Sequence, residues 1–533
     1  MVADTSSCLV PSPGIRDALV SFLLGFGVIC GFLLAPQPAL AVDSNEYDGL
    51  SYDPGEIVIN LTKDHSIESF IESYAHYGLV LLDAYPEANL YLVESSIEVV
   101  DDLVIEFCDD PRVEFADANY YQETPEAVRQ MVLAMIGGTY EDYEDQELTE
   151  RIHLDQAHEY GRGHGTLVAV LDTGIDPKHE ALVGHFVDYG WDFVDDDDAP
   201  WEEVDGIDQD GDEWVDAGFG HGTMVAGVIA LVAPQAEILP LRVLDTEGCS
   251  DVFRVCKAIR YALMVGADVI NMSFGAPFEI NAIGHQLWYA YGQGVTVVSG
   301  AGNYAEEDPP LFPAAHPTSI MVAAVDSLDV KADFSDWNCK VLVSAPGSGV
   351  RSAFPGGNWA IGSGCSFATP FVSGEVALIK SVRPDLEMDA IWHRVGAGTD
   401  DLYWLPENKP YWGKLGWGRI NLEWAMCGLA SDVGENGRGA SLGRLLAYPN
   451  PSRGVVQLRL ATPVGDSTLH ASIFDSTGRR VRHLTGPADA PILWDGRDDA
   501  GRPVTSGVYF ARANHAGRTD HGGTAGTPIR ILR

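Results

Sequence analysis

Basic residues are scarce in this chain. Its 33 Lys and Arg stand against 78 Asp and Glu, a formal charge of −45 over 533 residues. A surface of that sign repels phosphate backbones and anionic lipid, so nucleic acid and acidic membranes are excluded as partners. It suits a chain that gathers metal cations or lives in salt. Long apolar runs are also missing, with one exception. Residues 18–35 form an apolar stretch behind Arg16, and Ala39-Leu40-Ala41 follows. The basic residue, the apolar run and the small-residue site read as a secretory signal peptide over 1–41, cut after Ala41. The length of the run borders on that of a membrane anchor. No later segment is long and apolar enough to span a bilayer. Cysteine is sparse, with eight in all. Cys8 and Cys30 would leave with the signal, and Cys108 lies in an N-terminal module. Cys249, Cys256, Cys339, Cys365 and Cys427 remain, an odd set that leaves one thiol over if the others bridge. Cys249 and Cys256 are nearest in sequence, but spacing does not fix the pairing.

Three short motifs carry chemistry. Leu167-Val168-Ala169-Val170-Leu171-Asp172-Thr173-Gly174 reads as a buried parallel strand stopped by Thr-Gly. Asp172 then stands at the carboxyl end of a strand, where open α/β sheets place their sites. Gly220-His221-Gly222-Thr223 opens a helix of small residues that can pack closely on a sheet. Gly364-Cys365-Ser366-Phe367-Ala368-Thr369-Pro370 sets Ser366 at the mouth of a helix. Unpaired N–H groups and the helix dipole favour negative charge there. Alone, Ser366 reads equally well as a helix cap, and Asp172 as a turn residue. Taken together, the order Asp172, His221, Ser366 is one of the three chain orders in which Ser–His–Asp triads occur. On these three motifs the chain is identified as resembling the subtilisin family of serine proteases, the subtilases.

The resemblance implies a role for each residue. Ser366 attacks the scissile carbonyl, His221 moves the proton, and Asp172 fixes the tautomer of His221 and stabilises the imidazolium. The run Val295 to Asn303 resembles the family segment whose Asn amide points at the oxyanion, which assigns that role to Asn303. Removing one such donor typically costs about 100- to 1000-fold in turnover. A second Gly-His-Gly-Thr, at 163–166, leads into the Asp172 strand and has no small-residue helix behind it. His164 is therefore read as a residue leading into the strand. Cys365 stands where the family usually has Thr, and its frame relative to Ala368-Thr369-Pro370 is wrong by one residue for a nucleophile. Peptide substrate is expected to add as a strand beside Gly248 and beside Ser273-Phe274-Gly275. The latter run and Ala301-Gly302 wall the first specificity pocket. Leu311-Phe312-Pro313-Ala314 resembles its far wall, and Leu311 at the floor would favour small or medium apolar side chains.

Calcium is the expected cofactor. Asp208-Gln209-Asp210-Gly211-Asp212-Glu213-Trp214-Val215-Asp216 puts hard oxygens at positions one, three, five and nine, in Asp208, Asp210, Asp212 and Asp216. It is not a standard EF-hand loop, since Gly is missing at position six and Phe219 stands at position twelve. It resembles Asp-rich insertions before Gly-His-Gly-Thr in some bacterial subtilases. A solvated acidic loop is the plainer reading, and the run Asp195 to Asp198 is a weaker candidate.

Alternating strands and helices predict a doubly wound parallel-sheet α/β catalytic domain over 147–428, with Gly416 to Asn421 resembling the motif that closes it. Residues 42–122 show a β-α-β-β-α-β, ferredoxin-like α+β pattern. Their ending, Asp110 to Tyr120, resembles the inhibitor propeptides of subtilases, so the chain's own propeptide is an expected intramolecular partner. Residues 123–146 read as an acidic linker that holds the maturation cleavage. Residues 429–444 read as a second, Gly/Ser-rich linker. Short strands at regular spacing over 445–533 suggest a β-sandwich. That tail resembles the Ig-like domains that serve as type IX secretion signals, which implies a secretion machinery as partner. The whole reads as a secreted or cell-surface, self-maturing serine endopeptidase acting on proteins and peptides. The alternatives are an inactive subtilase-like surface binding protein and a sedolisin-type acid protease, which uses Glu and Asp beside its Ser.

Overall fold

The computed structural model describes residues 52–96, 100–124, 134–135, 137–207, 215–427, 429, 445–448, 454–460, 468–475, 480–487, 491–505, 507–515 and 527–531. The expected signal peptide, Asp208, Asp210, Asp212 and nearly all of the 429–444 linker lie outside them.

The N-terminal module follows the expected order: β1 (Tyr52–Leu61), α1 (Ile67–Ser73), β2 (Val80–Tyr85), β3 (Leu90–Glu94), α2 (Asp101–Cys108) and β4 (Val113–Glu123). β1 is central, antiparallel to both β3 and β4. The last strand is long and runs on to Glu123. The reason is tertiary, because its end pairs with a strand of the next domain, described below.

The 123–146 stretch, expected as a linker, holds structure. β5 (Ala134–Met135) joins a small sheet. Helix α3 (Tyr140–Glu144) starts on a Thr139–Asp142 capping box and buries Tyr143, whose hydroxyl donates to the Gly227 carbonyl at 2.6 Å. Two short helices follow, α4 (Glu147–Arg151) and α5 (Leu154–His158).

The next unit is the expected doubly wound sheet. In chain order its parts are β6 (Leu167–Asp172), β7 (Trp191–Asp192), α6 (His221–Val232), β8 (Glu237–Arg242), β9 (Cys249–Asp251), α7 (Val252–Val265), β10 (Val269–Met272), α8 (Asn281–Gly292), β11 (Thr296–Gly300), β12 (Ser319–Val325) and β13 (Val343–Pro346). Then come β14 (Val350–Phe354), β15 (Asn358–Gly362), α9 (Cys365–Val382), α10 (Met388–Ala397), β16 (Thr399–Asp400), β17 (Arg419–Ile420) and α11 (Leu422–Met426). The main sheet has the order β16-β17-β13-β12-β11-β10-β6-β8-β7. All its pairs are parallel except β16 with β17. β6 shows why both faces are covered. Val168 and Val170 enter one core, under α6 and α9, while Leu167, Ala169 and Leu171 enter the other, under α7 and α8. A strand buried on both sides reads as an unbroken apolar run rather than an alternation.

The C-terminal unit has two antiparallel sheets. One is β18 (Leu445–Tyr448), β19 (Val456–Leu460) and β22 (Ile492–Trp494). The other orders β21 (Arg480–Pro487), β20 (Thr468–Asp475), β23 (Gly507–His515) and β24 (Thr527–Ile531). Both give side chains to one core around Trp494 and Ile473. Among the described residues no helix is long and apolar enough to cross a membrane.

Candidate active site

β6 ends on Asp172 and α6 begins on His221. Asp172 Oδ1 lies 2.7 Å from His221 Nδ1, and both residues are buried. An ionised carboxylate only accepts, so Nδ1 carries the hydrogen and Nε2 keeps its lone pair. Thr173 draws the two elements together. It donates its N–H to Asp172 Oδ1 at 2.8 Å and accepts the Gly222 N–H on its hydroxyl at 2.9 Å. A side chain at Gly222 would not fit, because its Cβ would sit 2.2 Å from the Gly174 carbonyl oxygen. The Gly after His in the motif is thus the space that the Asp172 loop occupies.

Ser366 is the second residue of α9. Pro370 has no N–H to give the Ser366 carbonyl, so that oxygen lacks its intrahelical donor. The Ser273 hydroxyl supplies one at 3.0 Å, and the Ser366 hydroxyl donates in return to the Ser273 carbonyl at 3.0 Å. Ser273 Oγ accepts from Asn271 Nδ2 at 3.0 Å, and Asn271 Oδ1 accepts from Ser373 Oγ at 2.8 Å. This buried relay locks the end of β10 to α9. The His221 ring stands over the next residue, Phe367, with centroids 5.5 Å apart.

Asn303 is buried beside them. Its Oδ1 accepts the Cys365 N–H at 2.8 Å, which assigns the amide oxygen to the head of α9 and turns the NH2 end away from that bond. Cys365 is fully buried, with its Sγ 3.0 Å from the Gly302 carbonyl oxygen and 3.3 Å from Ser335 Oγ. The thiol faces the interior, unlike a nucleophile. His164 is exposed in the turn before β6, far in role from the Asp172 carboxylate. Cys256 is an unbridged thiol buried in α7, so it forms no bridge to Cys249.

The expected substrate edge is occupied by the chain itself. β4 lies antiparallel to β9, with Tyr121 opposite Asp251, Gln122 opposite Ser250 and Glu123 opposite Cys249. The Thr124 N–H donates to the Gly248 carbonyl at 3.0 Å. Ser273, Phe274 and Ala301, expected as pocket walls, are buried. Leu311 is buried too, and packs so near Gly275 that a Cβ there would meet its Cγ at 2.9 Å.

Of the four expected metal ligands only Asp216 is among the described residues. Its Oδ1 accepts the Asp205 N–H at 2.9 Å, and its own N–H goes to Glu247 Oε1 at 3.2 Å. No cluster of three or more His, Cys, Asp or Glu fit for a metal occurs among the described residues.

Sequence reading missed Glu202. Its carboxylate caps α6 by accepting from Gly220 N at 2.9 Å and Thr223 N at 3.0 Å. Burial pushes it up to about 7, against the pull of those donors. It also missed the Ser273 relay, whose signal was present: a Pro inside a helix frees a carbonyl that needs a donor elsewhere.

A serine at the head of a helix, an amide beside it and a His–carboxylate pair, all at the carboxyl end of a parallel sheet, are the arrangement of a serine hydrolase of the doubly wound α/β class. The comparisons carry this one step further. The subtilase family model matches residues 163–395. Thermitase of Thermoactinomyces vulgaris is 37% identical over 242 residues, which span 44% of this chain and 81% of that protein. A thermophilic serine proteinase of Bacillus sp. (strain AK1) is 30% identical over 342 residues, 62% of this chain and 79% of that one. The chain belongs to the subtilase family and is a subtilisin-like serine endopeptidase. Fervidolysin of Fervidobacterium pennivorans, a keratinolytic enzyme related to subtilisin, shares the fold. Its structure matches 88% of this chain and 71% of its own with a TM-score of 0.58 at 20% identity.

Proposed function

We propose that Asp172, His221 and Ser366 are the triad, and that the enzyme is exported and matures by cutting its own propeptide. The observation that carries this reading is the buried 2.7 Å contact between Asp172 and His221, at a cleft into which the chain feeds its own strand. Ser366 Oγ adds to the scissile carbonyl carbon as His221 Nε2 takes its proton. The oxyanion is held by the Asn303 NH2 group and the Ser366 N–H. Collapse breaks the C–N bond, and His221 returns the proton to the leaving amine. Water then enters by the same steps in reverse and frees the acid and Ser366. Leu311 against Gly275 supports small or medium apolar side chains in the first pocket.

The N-terminal module acts as propeptide and inhibitor. Support comes from its share in the catalytic core: Val58, Leu90 and Phe115 pack with residues of α7 and α8. Its Asp117 accepts the Ala282 N–H at 3.1 Å, and its Asn119 the Phe253 N–H at 3.0 Å, at the starts of α8 and α7. The calcium loop at Asp208, Asp210, Asp212 and Asp216 holds a structural cation. The C-terminal unit, with its two antiparallel sheets, is an Ig-like attachment or sorting domain that meets the secretion machinery. The product is a secreted or surface enzyme.

β4 is held as far as Thr124, and among the described residues the chain is next paired at Ala134, opposite Ile361. The peptide bond offered to Ser366 therefore lies between these points. Expression of wild type and Ser366→Ala, with mass spectrometry of the chain ends and fluorophosphonate labelling, tests the reading. Wild type should label and be cut within 125–133, while Ser366→Ala should stay joined there and unlabelled. Cleavage of the Ser366→Ala chain at the same place would defeat it.

A further inference from the structure

Helix α6 presents an uncapped head. Its N-cap is Gly220, at φ 88°, which has no side chain to accept the first N–H groups. A helix start normally finds these partners in a Ser, Thr, Asp or Asn at the cap. Here Glu202, far upstream, fills the place. One carboxylate collects Gly220 N at 2.9 Å, Thr223 N at 3.0 Å and the Thr223 hydroxyl at 3.0 Å. It also accepts the Thr173 hydroxyl at 3.2 Å. Thr173 follows Asp172, and Gly220 precedes His221. The same carboxylate therefore grips the chain on both sides of the acid–base pair.

Its own backbone is fixed. Ile175 N donates to the Pro200 carbonyl at 3.2 Å, and Glu202 N to the Ile175 carbonyl at 3.3 Å. Gly174, at φ 111°, lets Trp201 close in, since a Cβ there would meet the Trp201 carbonyl at 2.6 Å. Asp172 is a like charge that raises the proton affinity of the Glu202 carboxyl further.

We infer that Glu202 is a positioning residue of the Asp172–His221 pair: it ties the loop after Asp172 to the first turn of α6 and so holds the carboxylate against the imidazole. The inference rests on the triad reading above. A simple helix cap would affect stability alone. A positioning residue also sets the rate of the chemical step and, through the Asp172–His221 contact, the pH at which His221 loses its proton.

The test uses the full chain after self-processing, with kcat and KM measured on a chromogenic peptide from about pH 5 to 10. Glu202→Gln should lower kcat about 10- to 100-fold with KM within about two-fold. The acid limb of kcat/KM should move to lower pH by about half a unit or more, because a loosened Asp172 stabilises the imidazolium less. Glu202→Asp, which keeps the carboxyl acceptors one methylene further back, should restore the acid limb while kcat stays below wild type. An unchanged kcat and acid limb in Glu202→Gln would overturn the inference. So would a loss that follows melting temperature while the acid limb stays put. If Glu202→Gln yields no processed enzyme, Glu202→Asp decides: a wild-type kcat overturns the inference, and a lowered kcat with a wild-type acid limb supports it. His221→Ala runs alongside. If it keeps wild-type turnover, the triad assignment fails and takes Glu202 with it. If it is dead and Glu202→Gln is unaffected, only the Glu202 inference falls.

Discussion

Glu375 is a carboxyl that α9 gives nothing to bond. It is fully buried, neither oxygen has a hydrogen-bond partner, and Phe371, Val372, Leu378 and Ile379 on the same helix face are buried with it. Burial alone pushes its proton affinity well above the ordinary value. The sign follows. The folded chain keeps the proton while the unfolded chain releases it above about pH 4.5, so this group's share of stability is full in acid and is lost as pH rises. The loss runs at roughly 1 kcal/mol per pH unit until the folded group ionises too. Glu375→Leu, made in the Ser366→Ala background to prevent autolysis, should melt higher than its parent at pH 8, with the gap closing toward pH 5. A gap that does not change with pH would show that Glu375 is not held protonated. Residues of this kind explain what was legible. Asp172, His221 and Ser366 stood out because their chemistry fixes residue type, spacing and order. Glu202 and Glu375 did not, because a lone Glu in an acidic chain looks like surface until the fold encloses it.

Helices α7 and α8 start under the N-terminal module. α7 has its own cap in Asp251, but the cap position of α8 is Ile280, which bonds nothing through its side chain. Asp117 of β4 serves α8 from outside. Burial pushes its carboxyl up to about 7, against the N–H groups of Ala282, Asn281 and Ala118 that pull it down. Because the docked module holds the proton more tightly than the free one, docking strength is greatest in acid and declines from about pH 4 up to about pH 7. Processed enzyme should therefore reach full activity sooner at pH 8 than at pH 5.5. Asp117→Asn, which keeps an acceptor without a charge, should flatten that dependence. Equal pH dependence in the two chains, read from activity against time after processing, would count against the cap as its source. The same elements show how far pattern reading goes. The strand ending on Asp172 falls where its apolar run predicts, because a buried run is a local signal. Helix α3 falls in the stretch expected as linker, since what orders it is the contact of Tyr143 with the Gly227 carbonyl, which the local sequence does not contain.

Over the whole molecule, a charge of −45 is a standing repulsion that compactness must overcome. Some of it is met internally. Arg242, buried at the end of β8, holds Asp192 at 2.8 Å, Asp195 at 2.7 Å and Glu203 at 3.2 Å. The 78 acids outnumber the 33 Lys and Arg by 45, and divalent cations can offset part of that excess. The loop from Asp208 to Asp216 is the place to look, because it joins the Glu202 segment to the His221 helix. Asp216 already binds that loop back on itself through Asp205 and Gly206. A cation held at about one hundred times its Kd contributes about 2.7 kcal/mol, which for a domain of this size is about 5 to 10 °C in melting temperature. EDTA should lower the melting temperature of the Ser366→Ala chain by that amount, and calcium should restore it where sodium chloride at equal ionic strength does not. In an Asp208→Asn, Asp210→Asn variant, chelation should have no further effect. If chelation leaves the parent chain unmoved, the loop is a solvated acidic turn. If sodium restores it as well as calcium does, the whole effect is general screening of the acidic surface.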